Sequence, residues 1–69
     1  MSAEELIAFA GKVLKVDPAT LSLDTGYGTI PEWDSVNHLR LVMEVEKRFG
    51  VSYALERIPS MLTLRSFLP

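Results

Sequence analysis

The 69-residue chain contains no cysteine, so neither disulfides nor thiolate metal sites can support its fold, and packed side chains must supply the stability. Aromatic residues are few, with one Trp, two Tyr and three Phe, which favours a core of aliphatic side chains. No apolar run approaches the ~18 residues of a membrane span, and the N-terminus lacks the basic stretch and apolar core of a signal peptide. A cytoplasmic protein without a membrane span is the expectation. A strong excess of one charge sign is also missing. The seven Lys and Arg are scattered and the net charge is −2, so no footprint for a nucleic acid backbone is present. The length leaves room for one domain, residues 1–69, at the lower end of what folds alone. Internal repeats and low-complexity tracts are absent.

What the chain does have is helical periodicity. A first helix is expected from Ser2 to about Lys15, opened by Ser2 with Glu5 three residues on, the spacing of a reciprocal capping box. At 100° per residue Leu6, Ile7, Phe9, Ala10, Val13 and Leu14 fall on one arc of about 160°, opposite Glu4, Glu5, Lys12 and Lys15. Asp17-Pro18 is expected to end it, since proline cannot continue the ladder. A long connection follows to Trp33, anchored by Leu21, Leu23, Tyr27 and Ile30, with a short helical turn near Ala19 to Leu23. A second long helix is expected from Ser35 to about Phe49, capped by Asp34 and stopped by Gly50. Its apolar residues Val36, Leu39, Leu41, Val42, Met43, Val45 and Phe49 span an arc of about 200° or more, wide enough to touch more than one neighbour. The stretch from Val51 to Ile58 is ambiguous between strand and short helix and is expected to close at Pro59. Thr63 could cap a last short helix through Leu64, Phe67 and Leu68. The fold class is therefore all-α: a four-helix bundle with one short helix and a long loop between the two long ones.

The junction Trp33-Asp34-Ser35-Val36, read as an exposed passage from loop to helix, places a serine in the first turn of the longest amphipathic helix. First-turn N–H groups lack intrahelical acceptors and sit at the positive end of the helix dipole, so a phosphate on Ser35 would meet an anion-friendly site. From the residues alone Asp34 and Ser35 also read simply as caps. Trp33 at N′ and His38 at N4 occupy the positions of a hydrophobic staple, with the indole packing on His38. A hydrolytic Ser35, His38 and Asp34 group is disfavoured, because neighbours on one turn cannot place a base between nucleophile and acid and no oxyanion hole is indicated. Asp34 and His38 lack a third metal ligand. Neither catalytic residues nor a metal are expected. Leu39, Val42, Met43, Met61 and Leu62 read as core.

The run from Trp33 to Gly50, WDSVNHLRLVMEVEKRFG, resembles the acyl carrier protein signature, Asp-Ser-Leu followed by a helix ending in Glu-x-x-Phe-Gly. The likeness extends over the first helix, the Val16-Asp17-Pro18 exit, the long loop, and Met61-Leu62-Thr63-Leu64, which is similar to the family's Ile-x-Thr-Val. The resemblance implies 4'-phosphopantetheine joined to Ser35 by a phosphodiester, transferred from coenzyme A by a phosphopantetheinyl transferase. Asp34 would assist loading as well as capping. It further implies a monomeric carrier rather than an enzyme, served by an acyl- or aminoacyl-loading ligase and by downstream biosynthetic enzymes. Partner recognition would fall to Val36, Asn37, Leu39, Arg40 and Glu44. A cargo pocket would draw on Leu39, Val42, Met43, Tyr53, Met61 and Leu62. The absence of cysteine agrees with a thiol supplied by a cofactor. Where fatty-acid carriers have a strongly acidic second helix, this one mixes Asn37, Arg40, Lys47 and Arg48 with Glu44 and Glu46, which points to different partners. Fatty acid, polyketide or related secondary biosynthesis is the implied setting; an aminoacyl or peptidyl carrier of a nonribosomal-type pathway has the same serine chemistry.

Overall fold

Ser2 opens the first helix as its spacing requires. In the computed structural model, which describes residues Met1–Pro69, the Ser2 hydroxyl accepts from the Glu5 N–H at 3.1 Å, and the Glu5 carboxylate accepts from the Ser2 N–H at 2.9 Å. The helix so capped, α1, runs Ala3–Leu14. Its stop is not the proline. Lys15 already turns into the left-handed region at φ 60°, its N–H reaching the Gly11 carbonyl, so the chain leaves the helix before Asp17-Pro18. Asp17 then caps a single 3-10 turn, Pro18–Thr20, by accepting from the Ala19 N–H at 2.9 Å. This turn stands where the sequence suggested residues 19 to 23, and Leu21 after it is extended and buried.

The chain folds back over α1 so closely that a side chain at Gly11 would be crowded. A Cβ there would lie 3.0 Å from the Val16 carbonyl oxygen and 3.1 Å from the Pro18 ring. Glycine permits this close approach, which no helix-wheel pattern reveals.

The second helix, α2, spans Ser35–Phe49, bounded by Asp34 and Gly50 as expected. The Asp34 carboxylate accepts from the Asn37 N–H at 2.9 Å, and Gly50 adopts φ 67°, a left-handed stop that costs glycine little. Leu6, Ala10, Val13 and Leu14 of α1 meet Leu41, Val42 and Val45 of α2 in one core with Trp33, Met61, Leu64 and Phe67. Phe9 and Phe49 close the far end edge-on, with ring centroids 5.7 Å apart.

The buried stripe of α2 is narrower than its apolar arc. His38, Leu41, Val42 and Val45 face inward, whereas Leu39 and Met43 are 51% and 58% exposed and Val36 is 75% exposed. The expectation of broad contact over Val36, Leu39 and Met43 is thus corrected: the chain leaves Val36 largely open and about half of Leu39 and Met43 exposed, and a histidine takes a core place.

The remainder is helical but tightly wound. Residues Leu55–Ser60 form a 3-10 segment with Pro59 inside it rather than after it. The Arg57 N–H to Ala54 carbonyl and Met61 N–H to Ile58 carbonyl bonds flank the proline, which has no N–H to give. A final 3-10 turn, Leu64–Phe67, follows Thr63, whose hydroxyl bonds the Ser66 hydroxyl instead of a backbone N–H. The long connection is pinned to this region. The Tyr27 N–H donates to the Leu62 carbonyl at 2.8 Å and the Arg65 N–H to the Leu23 carbonyl at 2.9 Å, while Gly26 and Thr63 form an isolated bridge. The molecule has no strand and no helix long and apolar enough to cross a membrane. The fold is all-α, with two α-helices and three 3-10 segments.

Candidate functional site

The first turn of α2 presents Ser35 to solvent. Its hydroxyl is engaged by no other group of the chain, and the N–H groups of Ser35 and Val36 have no acceptor. Asp34 beside it is exposed and caps the helix. Asn37 braces the same turn: its amide donates to the Glu32 carbonyl at 2.9 Å while its backbone N–H reaches Asp34. These contacts fix the backbone on both sides of Ser35 and leave its Oγ free. A hydroxyl in this setting can be esterified without displacing anything, and an attached phosphate would complement the free N–H groups and the helix dipole.

Trp33 does not share that exposure. Its side chain is 0% exposed, correcting the reading of the whole junction as a surface passage. The indole packs on His38, with planes 28° apart and centroids 6.0 Å apart. It does more than pack, because the indole Nε1–H donates to His38 Nδ1 at 3.0 Å. His38 Nε2 lies 2.9 Å from the Ile58 carbonyl oxygen. An indole can only donate, so Nδ1 must be the acceptor and Nε2 carries the proton given to Ile58. Tyr27 and Phe67 approach the imidazole edge-on, at 5.1 and 6.5 Å between centroids. With both nitrogens occupied and only 7% of the residue exposed, His38 is not disposed to act as a base toward Ser35.

The residues expected in recognition lie along one side of α2 from the serine. Val36, Leu39 and Arg40 are exposed, with Asn37 and Glu44 partly so. The six residues grouped as a cargo pocket are not gathered in one cavity. Val42 and Met61 are closed into the core, and Leu39, Met43 and Leu62 stand at the surface. Tyr53 instead lines a separate concavity of about 370 Å³ with Arg57 and Phe67. Its hydroxyl donates to the Phe67 carbonyl at 2.6 Å, and burial raises its pKa above the ordinary tyrosine value, with Glu46 adding to the rise and Arg57 opposing it.

Sequence reasoning missed the relay through His38. The staple spacing of Trp33 and His38 pointed to contact between them, but neither the indole hydrogen bond nor the tie to Ile58, twenty residues on, leaves a trace in periodicity.

No family model matches the chain, and no solved structure matches it. Among known proteins, the acyl carrier protein of Onion yellows phytoplasma (strain OY-M) is 31% identical over 68 residues, covering 99% of this chain and 90% of that protein. That similarity spans both long helices and the serine turn between loop and α2, and with the all-α fold it places the chain in the acyl carrier protein family.

Proposed function

We propose that the chain, acting as a single carrier domain, bears 4'-phosphopantetheine on Ser35. The observation that supports this most strongly is the free, exposed Ser35 hydroxyl at the start of a helix where the Ser35 and Val36 N–H groups lack acceptors. As a member of its family the chain is a carrier. Its own residues therefore need to bind, present and release, not to catalyse. In loading, Ser35 Oγ attacks the phosphorus that bears pantetheine in coenzyme A and a new P–O bond forms. The P–O bond of the pyrophosphate bridge breaks, adenosine 3',5'-bisphosphate leaves, and the hydroxyl proton passes to a base of the transferase. Asp34 holds the turn during that exchange and offers its second carboxylate oxygen to the visiting enzyme. Once attached, the arm supplies the thiol that this cysteine-free chain lacks.

Val36, Leu39 and Met43 give α2 an apolar docking stripe next to the serine. Arg40, Asn37 and Glu44 set its charge pattern. Because Arg40 interrupts the acidic character of this face, we assign the chain to a specialised biosynthetic pathway whose enzymes do not rely on a uniformly acidic helix. Loading ligases and tailoring enzymes of that pathway, working in the cytoplasm on a monomeric carrier, are the partners. Cargo held by Leu39, Val42, Met43, Met61 and Leu62 would require Val42 and Met61 to part from the core.

The test is intact-mass spectrometry after incubation with coenzyme A, Mg²⁺ and a broad-specificity phosphopantetheinyl transferase. The wild type is expected to gain the mass of one arm and Ser35→Ala to gain nothing. An unchanged wild type, or a modified Ser35→Ala, contradicts the assignment.

A further inference from the structure

We propose that His38 is a positioning residue for the loading of Ser35, an inference that rests on the attachment proposed above. By accepting the Trp33 indole N–H, it holds the turn that presents the serine to the transferase. By donating to Ile58, it ties that same turn to the 55–60 segment.

The argument begins with a buried donor. The Trp33 indole is fully enclosed, and its N–H has one partner, His38 Nδ1 at 3.0 Å. A buried N–H left without an acceptor is costly. Removing that acceptor therefore favours arrangements in which Trp33 leaves its place. Trp33 is two residues before Ser35 in the sequence, and its backbone ties down the loop that leads into that turn: its carbonyl accepts from the Gly28 N–H at 3.1 Å and its N–H donates to the Ile30 carbonyl at 3.2 Å. Displacing the indole displaces the strut under Asp34 and Ser35. His38, one turn into α2, is thus the fixed point against which the loop before the helix is set. Its own backbone N–H bonds the Asp34 carbonyl at 2.8 Å.

The second bond extends the reach of the first. Nδ1 can accept from Trp33 only while the proton sits on Nε2, the geometry that donates to Ile58 at 2.9 Å. Segment 55–60 buries no side chain fully and carries Leu55 exposed; beside the packing of Ile58 on the core, this bond is the hydrogen bond that joins it to α2. The two hydrogen bonds of the ring specify a single neutral tautomer.

The pair His38→Asn and His38→Gln separates the two bonds. Asparagine puts a carbonyl oxygen about where Nδ1 stands and keeps Trp33 satisfied; glutamine puts an amide N–H about where Nε2–H stands and keeps Ile58 satisfied. In transferase kinetics with coenzyme A, His38→Gln is expected to raise KM for the carrier about tenfold with kcat retained, because the transferase meets a depopulated turn. His38→Asn should stay within about twofold of the wild type. Amide exchange should show the converse, with the Met61 N–H about tenfold faster in His38→Asn and unchanged in His38→Gln. Equal KM values in the two variants overturn the proposal. A wild type that is not loaded at all overturns the attachment to Ser35 instead. Should either variant not fold, imidazole ¹⁵N shifts of the wild-type protein decide: a protonated Nε2 with a bare Nδ1 is expected, and the opposite tautomer or an averaging mixture contradicts the relay.

Discussion

Gly11 shows how a single residue can carry a constraint that periodicity hides. In an exposed helix, Gly→Ala gains about 1 kcal/mol from propensity. Here the added Cβ would meet a backbone oxygen at 3.0 Å and the Pro18 ring at 3.1 and 3.2 Å, neither of which is the free end of a flexible side chain. Overpacking therefore outweighs propensity, and Gly11→Ala is expected to destabilise the protein by about 1–2 kcal/mol in urea unfolding. A variant as stable as the wild type would mean that the chain after α1 can move aside. His38 is the complementary case, a polar residue read as a staple that proves to be a core residue with both nitrogens bonded. Ser35 and Asp34 were legible for a different reason: a cap and a first turn are local, and local chemistry is written in adjacent residues.

At the level of elements, the two long helices were readable nearly to the residue, because each carries its own start signal and α2 its own stop at Gly50, whereas α1 ends at Lys15, ahead of the Asp17-Pro18 expected to stop it. The Ser2–Glu5 pair makes a prediction of its own. The Ser2 backbone N–H, and then its hydroxyl, hold the Glu5 carboxyl below the ordinary glutamate pKa. A lowered folded-state pKa means that the stabilisation is complete above the unfolded value and is lost as pH falls through the lower folded value. Acidification from neutral pH into that range should lower the melting temperature of the wild type. In Glu5→Gln, whose amide oxygen still accepts from Ser2 but does not titrate there, that part of the slope should be missing. Identical slopes would remove Glu5 from the account. The segments after Gly50 were hard to read because short 3-10 turns have neither the length for a 3.6-residue pattern nor strong caps; Pro59 read as a terminator where it is tolerated inside. Exposure along α2 also escaped the wheel. Leu39 and Met43 are as apolar as Val42, and only the placement of the neighbouring elements decides which of them is covered.

For the whole molecule, two packed helices and a pinned loop form a scaffold whose core lies beneath the α2 N-terminus and whose exposed apolar stripe begins beside it. The all-α class followed from helical periodicity, with Val51 to Ile58 alone open between strand and helix, and the carrier family from the extent of the resemblance. How Trp33, His38 and Ile58 join the loop, α2 and the 55–60 segment depends on contacts between distant parts of the chain, which residue spacing alone does not encode. Carrier chemistry at Ser35 is the central claim, and fragment mass spectrometry of the protein purified from the cells that make it tests this most directly. The account predicts one phosphopantetheine arm, free or acylated, on the fragment containing Ser35. An unmodified Ser35, or the arm on Ser2, Ser22, Ser52, Ser60 or Ser66, would contradict it.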